Sequence, residues 1–140
     1  GAIVNMQKSA KKRGINFNLT EEQLKEWWQK TEDRCYYCGC DIGKFIINRD
    51  FVKNYGGDNP KILYIKQHVF NNPNYYKIET MTIDRMNSSL GYSVDNLAKA
   101  CWICNSIKSN KYSVEEMMVI APDIINEIKL EMERNNGRRG

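Results

Sequence analysis

Four of the five cysteines stand in two Cys-x-x-Cys pairs, a spacing that is typical of metal-binding thiolates. The pairs are Cys35 with Cys38 and Cys101 with Cys104. Thiolates are soft ligands, and four of them in two pairs suit a closed, tetrahedral zinc site. A redox pair or an accidental clustering is the alternative, which the repeated spacing disfavours. We expect the fifth cysteine, Cys40, to remain unliganded.

The two pairs are far apart in the chain, so the zinc would join distant segments. Gly39 follows the first pair and permits a tight turn around a metal. A shell of four thiolates leaves no open position, so this zinc would be structural and not the catalyst. In a small domain such a site can supply much of the folding free energy.

A second possible metal site has oxygen donors. Asp84 ends a predicted strand, and Asn105 lies on a predicted helix directly after the second cysteine pair. Carboxylate and amide oxygens suit Mg²⁺ or Mn²⁺, which complete their shell with water and phosphate oxygens. Lys108, one turn after Asn105, could contact the same phosphate. Alternatively, Asp84 pairs with Arg85 or Lys108 and Asn105 caps a turn.

Two helices are predicted before the first cysteine pair. Residues 5–13 favour a helix that ends at Gly14. After an extended piece at 15–19, Thr20 and Gln23 form a capping box that opens a helix to about Lys30. Its predicted buried face consists of Leu24, Trp27 and Trp28. Stacking of these tryptophans on bases is the weaker alternative.

The middle of the chain is predicted to carry an inserted hairpin within residues 41–76. The apolar runs 45–47 and 62–65 are interpreted as its strands, and the residues 55–60 as the turn between them. This insertion contains His68, the single histidine of the chain.

A strand–strand–helix unit is predicted after the insertion. Its strands cover 77–84 and 97–100, and its helix covers 103–110. Ser113 and Glu116 then form a second capping box, and Pro122 fits the first turn of a final helix. The expected fold class is α+β in a single domain with three parts: a helical lead-in (1–33), a zinc-stapled ββα core (34–112) and C-terminal helices (113–140).

Composition is ordinary for a globular protein, with 41% hydrophobic and 27% charged residues in 140. No apolar run approaches the roughly 20 residues of a membrane span, and no signal-peptide pattern opens the chain. Five cysteines without a secretion signal indicate a reducing compartment, so we expect an intracellular protein, in cytoplasm or nucleus. A net charge of +4 tolerates a polyanionic partner without demanding one. The basic candidates for phosphate contacts are Lys11, Lys12, Arg13, Arg85, Lys108 and Lys111.

The run IDR, GY, DN and CWICNSIKSN, within residues 83–110, resembles the HNH nucleases, also called ββα-metal or His-Me finger nucleases. It is most similar to the cysteine-stapled branch found among rare-cutting restriction and homing-type endonucleases. The upstream SAKKRGINFNLTEEQL and CYYCG resemble the lead-in of that branch. The resemblance implies zinc on the four cysteines, a catalytic metal on Asp84 and Asn105, and a loop between the strands tied by Asn96.

The sequence departs from the family at one position. The general-base histidine that usually follows the aspartate is replaced by Arg85, which stays protonated and cannot accept a proton. Arg85 can instead clamp a phosphate. The candidate bases are His68, Tyr75 and Tyr76; Glu79 is a weaker candidate because strand alternation places it opposite Asp84. A water activated by the metal or by the substrate phosphate is the remaining option.

These features together predict a metal-dependent endonuclease that hydrolyses DNA phosphodiester bonds and, as the resemblance implies, leaves 5′-phosphate ends. The first alternative is a non-catalytic, zinc-stapled DNA-binding module that lost the histidine. The second is a zinc-stapled protein–protein adaptor, which would show no salt-dependent DNA affinity. Double-strand cutting at a palindrome would need two active sites and hence a homodimer.

Overall fold

The computed structural model describes residues 2–71 and 78–139, with side chains for residues 3–71 and 78–136. Helices dominate these residues, and the two strands form one small antiparallel sheet. In chain order the elements are α1 (Ala2–Lys12), α2 (Glu21–Lys30), α3 (Ile42–Asn54), α4 (Pro60–Val69), β1 (Thr82–Arg85), a short 3₁₀ helix (Val94–Asn96), β2 (Leu97–Ala100), α5 (Trp102–Lys108) and α6 (Val114–Arg139).

The strands and α5 form the predicted ββα unit. The register of the antiparallel pair places Asp84 opposite Ala98. Helix α5 begins two residues after β2 ends, with Cys101 as its N-cap residue. Because α5 packs beside the sheet, residues of β1 and of α5 come close together in space. The strand β1 begins at Thr82 and ends at Arg85, so the described part of the predicted strand before Thr82, residues 78–81, is not paired; residue 77 lies outside the described residues.

The lead-in follows the prediction closely. Helix α1 ends at Lys12, and Gly14 adopts a left-handed φ of 70° that terminates it. The Thr20 hydroxyl accepts from the Gln23 amide at 3.1 Å, while the Gln23 side chain accepts from the Thr20 amide at 2.9 Å. This reciprocal capping box opens α2. On α2, Leu24 is buried, whereas Trp27 and Trp28 are half-buried against the two hydrophobic clusters.

The predicted inserted hairpin is wrong, because both of its strands are helical. The Asp41 side chain accepts from the Lys44 amide and caps α3, and Asn59 caps α4 with Pro60 in its first turn. The buried positions follow a helical period, not alternation: Phe45, Arg49 and Val52 on α3, and Ile62, Ile65 and Val69 on α4. The apolar runs 45–47 and 62–65 are therefore parts of helical stripes.

The C-terminal segment forms one long helix, where the sequence predicts more than one. Ser113 and Glu116 make the predicted capping box, at 3.0 and 3.1 Å, and α6 then continues to Arg139 with Pro122 in its interior. A proline there lacks an amide donor for the helix ladder. The helix nevertheless continues, since an apolar stripe on both sides of the proline packs into the core: Met117, Ala121, Ile124 and Ile128.

Two hydrophobic clusters flank the ββα unit. The larger unites the apolar faces of α3 to α6 with the first cysteine knuckle. The smaller joins α1 and α2 to the sheet through Ile3, Leu19, Leu24 and Leu97. The residues of the ββα unit are thus held from both sides. Among the described residues, no helix is both long and apolar enough to cross a membrane.

Candidate active site

The four paired cysteines converge. Their sulfur atoms all lie within 4.8 Å of one another, which is compatible with a single tetrahedral ion bound by Cys35, Cys38, Cys101 and Cys104. Three of these cysteines are buried, and Cys38 is half-buried. The cluster therefore connects the segment before α3 to the start of α5. It lies inside the larger hydrophobic cluster. The bound metal would there supply part of the folding free energy that a larger apolar core would otherwise supply.

The first knuckle has the turn that the glycine predicts. Gly39 has a φ of 77°, its amide donates to the Cys35 carbonyl at 2.8 Å, and the Cys35 amide donates to the Cys40 carbonyl at 2.9 Å. The Cys40 sulfur lies 3.2 Å from that of Cys38 but outside the group of four. Hydrogen bonds from neighbouring thiols, Cys101 first, lower the pKa of Cys35.

A polar cavity of about 370 Å³ opens beside β1 and α5. It brings together most of the residues proposed from sequence for the hydrolytic site. The lining includes Asp84 and Arg85 from β1, Asn105 from α5, His68 from α4 and Arg13 from the lead-in, together with Asn71, Ile83, Ser88, Tyr92, Trp102, Ser106, Ser109 and Asn110. Polar and charged side chains from four separate segments of the chain thus line the same cavity.

Asp84 is almost completely buried, with 6% of its surface exposed. One carboxylate oxygen, Oδ2, accepts a hydrogen bond from the Tyr37 hydroxyl, and the other, Oδ1, lies 3.4 Å from the Lys108 ammonium nitrogen. Burial raises the pKa of the Asp84 carboxyl, while the Tyr37 hydrogen bond and Lys108 act in the opposite direction. Burial also raises the pKa of Tyr37, so this phenol stays a proton donor.

Lys108 was predicted to contact a phosphate, but its side chain does not reach the cavity. Its side chain is fully buried and is not part of the cavity lining. The ammonium donates to the Arg85 carbonyl at 2.9 Å and forms an ion pair with Asp84. The helical spacing placed Lys108 near Asn105, but it could not show that the lysine points into the protein beneath Asp84. Lys108 therefore neutralises the aspartate and not a phosphate.

Asn105 is oriented by β1. Its amide nitrogen donates to the Thr82 hydroxyl at 2.9 Å and, more weakly, to the Ile83 carbonyl at 3.5 Å. Because the nitrogen faces the strand, the amide oxygen Oδ1 is the atom left to act as a donor to a cation. The Asp84 carboxylate likewise retains lone pairs beyond its two contacts. An oxygen pair of this kind fits Mg²⁺ or Mn²⁺.

Arg85 and Asn96 organise the loop between the strands. Arg85 donates through Nη1 to the Ser88 and Leu90 carbonyls at 2.9 and 2.8 Å. The Asn96 amide accepts from the Asn87 amide at 2.9 Å and donates to two loop carbonyls at 3.0 Å each. Asn96 thus ties the loop as the resemblance implies. Arg85 combines a loop contact with a position on the cavity wall.

His68 reaches the cavity because the insertion is helical. On α4 its Nδ1 lies 2.9 Å from the Tyr64 carbonyl, and its ring stacks on that of Tyr64 with centroids 4.1 Å apart. A carbonyl only accepts, so this contact assigns the proton to Nδ1 and leaves Nε2 with a free lone pair. Glu79 lies near Arg49 and is absent from the lining. The other candidates, Tyr75 and Tyr76, lie outside the described residues.

Sequence reasoning missed Tyr92 as a site residue. Tyr92 lines the cavity, and its hydroxyl accepts from Arg13 at 3.3 Å, so the end of α1 is brought over the active site. Its backbone exchanges hydrogen bonds with Asn16 and Asn18 at 2.8 Å. The Gly-Tyr pair at 91–92 is part of the run that resembles the HNH nucleases, but it gave no sign of this pairing.

The remaining basic candidates are exposed at the surface. Lys11 and Lys12 lie in the last turn of α1, next to Arg13. Lys111 lines a neighbouring groove of about 580 Å³ that shares Ser88 and Asn110 with the active-site cavity. The groove with Lys111 and the active-site cavity with Arg13 therefore adjoin at Ser88 and Asn110.

Comparisons with known proteins relate the chain to a viral protein and to a solved structure. No protein-family model matches the chain. An uncharacterized protein of Acanthamoeba polyphaga mimivirus, R423, is 41% identical over 54 residues. That match includes 39% of this chain but 10% of the viral protein, so the chain spans about a tenth of that relative's length.

The second match is a solved structure of PacI, described as a rare-cutting HNH restriction endonuclease that perturbs DNA. The TM-score is 0.62 at 28% sequence identity, over 88% of this chain and 73% of the PacI chain. Since 88% of the chain is covered, the similarity includes at least part of the helical lead-in and of the insertion as well as of the ββα unit. The chain has the fold of this HNH nuclease, and four of its own cysteines form a possible zinc site.

Proposed function

We propose that the protein is a metal-dependent endonuclease that hydrolyses DNA phosphodiester bonds. The observation that carries this proposal is the convergence of Asp84, Asn105 and His68 on one polar cavity of an HNH fold. Oxygen donors, a histidine with a free ring nitrogen and nearby arginines are the groups that phosphodiester hydrolysis requires. The similarity to a restriction endonuclease supports DNA as the substrate.

Two metals have suitable donors in this chain. Zinc would be held by the four clustered cysteines as a structural ion. Asp84 and Asn105 would hold Mg²⁺ or Mn²⁺. A hard divalent cation at these oxygens would stabilise negative charge on the phosphate and on the leaving oxygen.

The side chains around the cavity have separate tasks in hydrolysis. His68 accepts the proton of the attacking water at Nε2, while its Nδ1–H remains bonded to the Tyr64 carbonyl and fixes the tautomer. Arg13 and Arg85 place positive charge on the cavity wall, where it would bind the phosphate. As the resemblance to HNH nucleases implies, the 3′ oxygen would be the leaving group, so hydrolysis would leave 5′-phosphate ends. Lys11, Lys12 and Lys111 extend the basic surface along the path of the DNA backbone.

A plasmid-cleavage assay tests the proposal. Zinc-loaded protein is incubated with supercoiled plasmid and Mg²⁺, and conversion to nicked and linear forms is measured. We expect cleavage that EDTA abolishes and that Asp84→Asn abolishes. Asp123→Asn is the matched control, since Asp123 is an exposed carboxylate on α6 paired with Lys61. Metal-independent cleavage, or equal cleavage by Asp84→Asn, would contradict the proposal.

One observation favours the non-catalytic alternative. Lys108 already provides Asp84 with a cationic partner, so the carboxylate can be satisfied without a metal. A DNA-binding module built on this scaffold would bind DNA with affinity that falls steeply with salt, yet would not cut with any divalent cation. Binding measured by fluorescence anisotropy alongside the plasmid assay separates the two functions.

A double-strand cut at a palindromic site would require a homodimer with two active sites. Nicked plasmid as the main product would indicate a monomer acting on one strand. Linear plasmid appearing without a nicked intermediate would indicate the dimer, which sedimentation of the protein on an uncleavable duplex would show.

A further inference from the structure

The first cysteine knuckle extends a side chain into the active site. Tyr37 lies between Cys35 and Cys38, and its hydroxyl donates to Oδ2 of Asp84, which is 47 residues away in the chain. Both partners are buried, with 4% of Tyr37 and 6% of Asp84 exposed. The thiolate cluster and the candidate catalytic aspartate are therefore joined by a single hydrogen bond through the protein interior.

The backbone around Tyr37 is fixed on both sides. The two cysteines that flank it belong to the metal cluster, and the Tyr36 amide donates to the Lys99 carbonyl of β2 at 2.8 Å. Strand β2 in turn pairs with β1, where Ala98 lies opposite Asp84. The tyrosine is thus anchored to the same sheet whose other strand carries the aspartate, which leaves its hydroxyl little freedom to move away.

The Asp84 carboxylate is held by two donors, one at each oxygen. Tyr37 contacts Oδ2 and Lys108 approaches Oδ1 at 3.4 Å. Two donors on different oxygens restrain rotation of the carboxylate plane, which decides where the remaining lone pairs point. Removing the Tyr37 hydroxyl would leave Oδ2 buried without that donor and free the carboxylate to turn.

We infer that Tyr37 is a positioning residue that transmits the geometry of the cysteine cluster to the metal-binding carboxylate of Asp84. This inference rests on the proposed function, because it assumes that Asp84 binds a divalent cation. Through Tyr37, the cysteine cluster would orient Asp84 in addition to stabilising the fold. Loss of the hydroxyl alone would weaken binding of the cation while leaving the zinc in place.

Tyr37→Phe tests this directly, because it removes one oxygen and keeps the buried ring. Mn²⁺ binding to the zinc-loaded protein is measured by isothermal titration calorimetry, and zinc content by a colorimetric release assay. We expect Mn²⁺ affinity to fall about tenfold, in line with the loss of groups that orient metal ligands. In plasmid cleavage, the Mn²⁺ concentration for half-maximal rate should rise, while the rate at saturating Mn²⁺ recovers towards the parent value.

Tyr36→Phe is the matched control, since Tyr36 lies in the same knuckle but is 51% exposed. It should leave Mn²⁺ affinity and zinc content unchanged. Unchanged Mn²⁺ affinity in Tyr37→Phe would overturn the inference, and so would loss of zinc from it, because Tyr37 would then be a structural residue. If the parent protein binds no Mn²⁺, or binds it equally after Asp84→Asn, the proposed metal site itself fails.

Discussion

At the scale of single residues, the site is decided by what surrounds Asp84. Its carboxylate meets a buried phenol on one side and a buried ammonium on the other. These two donors hold the carboxylate in one orientation and offset the cost of burying a charged group in the protein interior. The same ammonium competes with any cation for the carboxylate charge, so Lys108 should influence both stability and metal binding.

Replacing Lys108 by methionine separates these two effects. Lys108→Met removes the charge and keeps much of the volume, so Asp84 loses its buried partner. We expect the free energy of unfolding to fall by about 3–5 kcal/mol in metal-free buffer, the usual cost of breaking a buried ion pair. Mn²⁺ should then restore more stability to the variant than to the parent, since the cation replaces the missing charge.

Urea unfolding with and without Mn²⁺ measures this difference. Lys111→Met is the control, because Lys111 is an exposed lysine in the connection that follows α5. It should unfold like the parent in both buffers. An equal effect of Mn²⁺ on Lys108→Met and on the parent would mean that the cation does not bind at Asp84.

His68 is expected to act on the reaction and not on metal binding. Because His68 lines the cavity and its Nδ1 is bonded to the Tyr64 carbonyl, its Nε2 is the atom that would accept a proton. His68→Ala should therefore lower the cleavage rate by about a hundredfold or more, the usual contribution of a general base. Mn²⁺ affinity should stay at the parent value. Single-turnover cleavage at saturating metal is the measurement.

Gln67→Ala, the adjacent exposed residue on α4, is the control for His68→Ala and should cleave at the parent rate. A parental rate in His68→Ala would exclude this histidine as the base. Tyr75→Phe and Tyr76→Phe would then be the next variants to measure, since both tyrosines are candidates named from sequence.

At the scale of elements, the lead-in is locked to the loop between the strands by a close backbone approach. A Cβ atom added at Gly91 would lie 2.3 Å from the Asn16 carbonyl oxygen, far inside van der Waals contact. The pairing of Tyr92 with Asn16 and Asn18 depends on this approach. Arg13 reaches the cavity because the lead-in is held there.

Gly91→Ala should therefore destabilise the protein by about 1–3 kcal/mol, the range for overpacking against a fixed neighbour. It should also weaken DNA binding, since Arg13 would shift with the lead-in. Gly56→Ala is the control: Gly56 has open space around it, so its effect on stability should be small. Urea midpoints of the two variants are compared, and equal midpoints would contradict this account of the lead-in.

The elements also show where sequence reasoning fails. The capping boxes at Thr20 and Ser113 were predictable because they depend on residues three positions apart. The insertion was misread because short apolar runs fit strands and buried helices equally well. The caps at Asp41 and Asn59 would have favoured helices, and this error mattered, since only helix α4 explains how His68 enters the cavity.

At the scale of the whole molecule, the cysteine cluster connects segments that are distant in sequence, and the core is built around it. Removing zinc should therefore abolish cooperative unfolding, not merely lower the midpoint. Thermal unfolding followed by circular dichroism, before and after treatment with a zinc chelator, tests this.

Cys38→Ser should behave like the chelated protein, because Cys38 is one of the four clustered residues. Cys40→Ser should keep zinc and cooperative unfolding, although its sulfur lies 3.2 Å from that of Cys38. Loss of zinc from Cys40→Ser would show that the fifth cysteine takes part in the site.

The sequence was sufficient to name the four clustered cysteines and the candidate oxygen donors, and insufficient for the contacts that surround them. The cysteine pairs, Asp84 and Asn105 are marked by spacing along the chain, so they could be named in advance. Tyr37, Tyr92 and the burial of Lys108 depend on contacts between distant segments, which no local pattern encodes. The general base is an intermediate case, because His68 was a candidate by residue type but its position required the fold.

The most direct test is crystallographic. Crystals soaked in Mn²⁺ are measured at a wavelength where manganese scatters anomalously. The account predicts a peak within about 2.0–2.5 Å of an Asp84 carboxylate oxygen and of Asn105 Oδ1, besides zinc at the four cysteines. Zinc at the cysteines with no manganese between Asp84 and Asn105 would contradict it.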